Sequence, residues 1–174
     1  MKDAIKKVNP NCFDDLVALI ALYRPGPIDN ISTYALNKKN PDQIKHYTKE
    51  IDDVLKSTNN IIIYQEQIMA IVKNYAGLSS SVADSFRKAI AKKDSEKMEK
   101  YKEIFYESAK EKGKDIKEIE EIYKLIEKFA LYGFNKAHSV SYALISFKLL
   151  VYKTHFPLES VSYTHLRAHE TDQY

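Results

Sequence analysis

A single cysteine, Cys12, excludes an intrachain disulfide and any cysteine-built zinc site, and fits a reducing compartment. Tryptophan is absent, and four glycines with five prolines are few for 174 residues, which argues against a many-turned β fold. No apolar run approaches the roughly eighteen residues that a membrane-spanning helix needs, and the N-terminus has no signal-peptide pattern. A soluble, cytoplasmic chain without a membrane partner is the expectation. Strong charge of one sign is also missing. Twenty-seven basic against 24 acidic side chains leave a formal net charge of +3, so any case for an anionic ligand must rest on local charge.

What is present favours helices. Hydrophobic residues make up 44% of the chain, enough for a real core, and Lys, Glu, Ile and Ala are plentiful. The expected fold is mainly α, with at most a short extended segment near 61–64, where Ile61-Ile62-Ile63 is β-branched and apolar. Met1 to Val8 is short and basic and stops at Pro10. Asn11 is then read as a helix cap, with Asp14 as its capping-box partner and Asp15 at the positive end. That helix is apolar on most sides and ends at Tyr23-Arg24-Pro25-Gly26-Pro27, because the residue before a proline avoids helix. Arg24 thus projects from a stiff loop, either into a salt bridge or toward a ligand. Short helices are expected around Ile31–Leu36 and Ile51–Leu55, separated by a turn at Asn37–Pro41. Gln65, Glu66 and Gln67 read as the exposed first turn of a helix carrying Ile68, Met69, Val72 and Tyr75.

Serines 79–81 open the next helix, read as running unbroken over about 82–112. Residues 87–102 hold Arg87, Lys88, Lys92, Lys93, Lys97, Lys100 and Lys102 against Asp94, Glu96 and Glu99, with no acid between 87 and 93. At ~100° per residue Arg87, Lys88 and Lys92 fall within about 140° of one another. They form a basic face while Phe86, Ala89 and Ile90 turn inward. Such a face is either solvated surface or a phosphate-binding patch.

Gly113 breaks the pattern, and Ile116, Ile119, Ile122, Tyr123, Ile126, Phe129 and Ala130 then mark a clean amphipathic helix. Tyr132-Gly133-Phe134-Asn135-Lys136-Ala137-His138-Ser139 interrupts it. Gly133 suits a left-handed helix end. Asn135, Ala137 or Ser139 opens the last helix, Asn135 and Ser139 being the better caps. Asn135, Lys136 and His138 then cluster at a helix N-terminus, where free N–H groups favour an anion. Val140, Ala143, Leu144, Phe147, Leu150 and Val151 are the expected core-facing set of that last helix. Tyr142 is expected in the core, and Pro157 ends the helix.

Ala21 to Pro27, Tyr64-Gln65-Glu66-Gln67, Arg87 to Lys93, Tyr132 to Ser139 and Tyr142-Ala143-Leu144 occur in one order without large gaps. Together they resemble the bacterial C-family replicative DNA polymerases, the DNA polymerase III alpha subunit. The similarity runs from Met1 to about Glu159. It implies that 1–159 is a portion of the fingers domain, which closes over the incoming deoxynucleoside triphosphate. It further implies that Arg87, Lys88, Lys92 and Lys93 face the phosphates. Tyr132, Asn135, Lys136 and His138 are implied on the nucleotide-facing side, with Arg24 in support. His138 is in addition a candidate general acid toward pyrophosphate. Other implied partners are template–primer DNA and further replicase subunits, including the sliding clamp, which would be reached through regions absent here.

The chain departs from the family at Ala91, often glycine there, and at Lys88, often a second arginine with a bidentate fork that lysine lacks. The resemblance also places the magnesium-binding aspartates in a palm domain that precedes this region. Neither Asp14-Asp15 nor Asp52-Asp53 sits in an apolar pattern that would replace them. No catalytic residue, cofactor or metal site is therefore expected in the chain, which reads as a fragment inactive alone. His165 and His169, with Glu170, lie in a 160–174 tail that looks like adapter sequence outside the family. Two other readings stay open: a non-catalytic helical module that binds nucleic-acid backbone through the 87–102 face, and a structural helical protein.

Overall fold

A computed structural model describes residues 1–92, 95–130 and 132–161. Among them the regular structure is helical: α1 (Lys2–Val8), α2 (Phe13–Leu22), α3 (Asn30–Lys39), α4 (Lys49–Leu55), α5 (Gln65–Asn74), α6 (Ser80–Ala91), α7 (Ser95–Glu111), α8 (Ile116–Ala130) and α9 (Lys136–His155). The expected mainly α fold is the observed one. No helix among the described residues is long and apolar enough to cross a membrane.

The helices enclose two apolar cores. One gathers Ile51 and Leu55 of α4, Ile68, Ile71, Val72 and Tyr75 of α5, Phe86 and Ile90 of α6, Phe105 of α7 and the Ile119/Ile122/Ile126 stripe of α8. The other joins Val8 of α1, Val17, Leu19 and Leu22 of α2, Ile31 and Tyr34 of α3, and Ala143 of α9. Extended residues 61–63 are the wall between them. Successive side chains of an extended segment point to opposite sides, and here Ile62 enters the first core while Ile61 and Ile63 enter the second. The β-branched triplet therefore serves both halves.

Several expectations change. The cap of α2 is Cys12 rather than Asn11, and the hydrogen bond runs the other way: the Asn11 N–H donates to Asp15, at 3.0 Å. Asp15 is buried. Burial raises its pKa, but Lys38 (2.6 Å), the Asn11 N–H and the Tyr34 hydroxyl (2.9 Å) outweigh that and hold the carboxyl below its usual range. The acid read as a helix-end charge is thus an internal tie between α2 and α3.

The helix expected over 82–112 is two helices. The N–H of Lys92 turns back onto the Lys88 and Ile90 carbonyls, and α7 folds back against α6. One continuous helix of that length would extend about 46 Å and would carry Phe105 away from its partners. Folding back instead places Tyr101 edge-on to Phe86 at 5.9 Å and stacks Phe105 on Tyr75 at 5.9 Å. Core packing outweighs local helix propensity here.

The last helix differs most. Ala143 and Ser139 are buried, but Leu144 (46%), Phe147 (48%) and Leu150 (57%) are exposed, and so are Val151 and Tyr142. Of the expected core set of α9, Ala143 is core and Val140 packs against it, whereas Leu144, Phe147, Leu150 and Val151 are not, and neither is Tyr142. Its packing partner α2 has 10 residues against 20 in α9. At ~1.5 Å per residue, about half of α9 has nothing from α2 to lie against.

Candidate functional site

The corner between α8 and α9 is built on the extended wall. Tyr64 and Phe134 form an isolated parallel bridge: the Phe134 N–H donates to Ile63 and the Gln65 N–H donates to the Phe134 carbonyl, both at 2.9 Å. Gly133 suits this close approach rather than a left-handed helix end. Its φ is not positive, and a Cβ there would come 3.1 Å from Cγ of Gln65.

Asn135 caps α9, its side chain accepting the His138 N–H at 2.9 Å. The Lys136 N–H is met by both carboxylate oxygens of Glu66, each at 3.1 Å. The anion expected at this helix N-terminus is therefore one of the protein's own carboxylates, donated from α5. Gln65, Glu66 and Gln67 are not an exposed turn. Gln67 is buried, accepting the Ile63 N–H at 2.8 Å and donating to Thr58 Oγ1 at 2.7 Å. Ser139 hangs α9 on α2 by donating to the Val17 carbonyl at 2.5 Å.

Arg24 reaches the same corner. Its guanidinium lies 4.7 Å from the centre of the Phe134 ring, donates to the Tyr132 carbonyl, and donates through Nε to Ala21 at 3.0 Å. Among the described residues it makes no salt bridge, the first of the two alternatives posed for it, and burial lowers its pKa. Gly26 makes room for the Tyr132 ring: a Cβ there would lie 2.5 Å from Tyr132 Cε1 and force it to shift, at a φ of +97° that side chains rarely adopt. His138 sits between Phe134 and Tyr142, at 5.4 and 4.6 Å between ring centres. The Lys136 ammonium lies 5.5 Å from the Tyr64 ring.

The basic turn of α6 divides between two sides. Arg87 faces α5, with Nη1 donating to Gln65 Oε1 at 3.2 Å, while Gln65 Nε2 donates to the Gly133 carbonyl at 3.2 Å. Two stretches more than forty residues apart are thus joined through one amide. Lys88 and Lys92 instead line a cleft of about 220 Å³ between α6 and α7, with Lys97, Ser85 and Tyr101. Lys93 lies outside the described residues. Asp84, one turn before the basic run, was not weighed from sequence. It pairs with Lys88 at 2.7 Å and Arg87 at 2.8 Å, and those two cations, Lys88 first, hold its carboxyl below the usual range.

The structure therefore brings Arg24, Arg87, Tyr132, Asn135, Lys136 and His138 together and sends Lys88 and Lys92 to a neighbouring cleft. Sequence reasoning missed Gln65, Glu66 and Asp84 as members of the site. The Glu66 dipole position and the i,i+3 and i,i+4 spacings of Asp84 were the available signals. Among the described residues no group of three or more His, Cys, Asp or Glu side chains is arranged to hold a metal ion. His165 and His169 fall outside the described residues.

Residues 1–113 match the family model of the bacterial DNA polymerase III alpha subunit finger domain. This chain belongs to that family. It is 41% identical over 166 residues to the DNA polymerase III subunit alpha of Pasteurella multocida, covering 91% of this chain and 14% of that protein. Against the subunit alpha of Staphylococcus epidermidis it is 41% identical over 157 residues, covering 90% of this chain and 15% of that protein. The Escherichia coli subunit alpha is 40% identical over 166 residues, with 91% and 14% covered. The chain spans about one seventh of the length of these curated relatives.

Proposed function

We propose that residues 1–159 are a fingers portion of a bacterial replicative DNA-directed DNA polymerase and grip the triphosphate of the incoming deoxynucleotide. The observation that carries this reading is the Arg87–Gln65–Gly133 bridge, which joins the two segments that independently suggested phosphate. Phosphoryl transfer passes through a loose, charge-rich transition state, stabilised largely by positioned cations. Arg87 has five N–H donors, of which Nε and one on each terminal nitrogen are engaged by Asp84 and Gln65. One N–H on each terminal nitrogen is left for a phosphate oxygen. Lys136 and His138 add donors from the first turn of α9. With Glu66 already on the Lys136 N–H, side chains and not the helix end do the gripping.

Magnesium in the intact enzyme would polarise the phosphates from carboxylates outside this chain, as a palm domain would supply. The wider replicase partners, including the sliding clamp, and the cytoplasmic location belong to that reading of the whole protein. The chain alone does not extend a primer. Titration with deoxyadenosine triphosphate, followed by residue-resolved NMR, tests the reading: amides in both 87–92 and 132–138 should shift. Primer extension by the purified chain, lost on substituting Lys92, would overturn the claim of inactivity.

A second reading is favoured by the three-lysine cleft. A module that binds nucleic-acid backbone there would prefer long DNA or RNA to triphosphate, show a steep salt dependence, and leave 132–138 unmoved.

A further inference from the structure

We infer that Gln65 is a positioning residue that couples Arg87 to the 132–138 corner, so that the two halves of the grip bind a triphosphate as one unit. The inference rests on the triphosphate reading above but has a part that can be checked without it.

The chemistry of the bridge selects an amide. Arg87 can only donate, and the Gly133 carbonyl can only accept. The side chain between them must therefore both accept and donate, and the Gln65 amide does so on two separate atoms. Oε1 takes the Arg87 Nη1–H at 3.2 Å and Nε2 gives to Gly133 at 3.2 Å. A carboxylate would satisfy the arginine and repel the carbonyl, and a lysine would do the reverse. Asparagine is one methylene shorter and cannot span the same gap from this backbone position.

That position is itself fixed from both sides. The Gln65 N–H donates to Phe134 at 2.9 Å, and the absence of a side chain on Gly133 lets Gln65 Cγ lie against it. The same corner is held by the neighbouring residue through Glu66 and the Lys136 N–H. Displacing the 133–134 backbone therefore moves the Gln65 amide, and with it the guanidinium of Arg87. Gln65 itself need not touch the triphosphate.

Gln65→Met keeps length and shape and removes both hydrogen bonds, while Gln65→Glu keeps the acceptor and removes the donor. The 174-residue chain is titrated with deoxyadenosine triphosphate and watched at the 87–92 and 132–138 amides, with melting temperature as the control for folding. The wild-type chain should show one midpoint for both segments. Gln65→Met should melt within a few degrees of it, bind about tenfold more weakly, and show two separate midpoints. Gln65→Glu should bind more weakly still. Wild-type affinity with one shared midpoint in Gln65→Met would overturn the inference. Should the wild-type chain fail to respond to triphosphate, the functional reading falls, and the coupling is judged from Arg87→Ala alone. That substitution should shift the Gly133 and Phe134 amides in the wild-type background but not in Gln65→Met. Their failure to shift in the wild-type background would also overturn the inference.

Discussion

The helices on either side of the Tyr132–Ser139 corner look alike in sequence and behave oppositely. In α8 the stripe Ile119, Ile122, Tyr123 and Ile126 is buried against α5, α6 and α7. In α9 the comparable stripe has only Ala143 fully buried, and Leu144, Phe147 and Leu150 remain exposed, Phe147 lying edge-on to Phe13. Periodicity identifies an apolar face. Whether that face is covered depends on how much of its length a partner can reach. For α8 three helices share the work, whereas α9 has a partner half its length. The corner is thus rigidly founded on one side and hung on the other by Ser139 and the Glu66 clamp.

This contrast is open to direct attack. Ile122→Ala in α8 should cost about 3 kcal/mol or more of unfolding free energy, the usual penalty for an uncollapsed core cavity. Leu149→Ala, on the open part of α9 at 62% exposure, should cost no more than about 0.5 kcal/mol. Equal costs in urea melts would erase the contrast. Ser139→Ala removes the buried hydrogen bond that hangs α9 on α2, leaves the Val17 carbonyl unmet by it, and should cost about 1–2 kcal/mol. The released helix should then be clipped sooner by protease than α8.

On the open face, replacing Leu149 and Leu150 together with Lys should lower binding of an apolar dye such as ANS while leaving the melting temperature nearly unchanged. The smallest effect concerns pH. Glu50 lies 2.9 Å from Lys114, whose ammonium lowers its pKa to about 2. A carboxyl depressed in the folded state adds stability above its unfolded value and loses it as pH falls toward the folded one. Between about pH 4.5 and 2 the wild-type chain should therefore lose stability more steeply than Glu50→Gln, and added salt should shrink the difference.

Much of this architecture was legible in the residues. The Arg24-Pro25-Gly26-Pro27 stop, the Gly113 break, the serines 79–81 that open α6, Asn135 as one of the two better caps of α9, and the buried extended triplet at 61–63 are all local signals, readable from a few neighbours. Glu66, Gln65 and Asp15 were misread because their partners lie 70, 68 and 23 positions away. Nothing within a turn of them betrays a carboxylate on a distant helix end or an amide shared by two segments. Gly133 shows the same limit. Its neighbours suggested a helix terminator, while its actual constraint is the Gln65 side chain pressed against it. The α6–α7 break had one local signal, the cap-type pair Asp94-Ser95 within a run of lysines and glutamates, and the aromatic contacts that favour folding back appear only once both helices are placed.

The central claim is that Arg87 and the α9 corner are one grip. It is tested most directly by following the His138 ring signals during a deoxyadenosine triphosphate titration of the wild-type chain and of Arg87→Ala. The account predicts a ring shift in the wild type that weakens about tenfold or more in midpoint without Arg87. An identical His138 response in both proteins would contradict it.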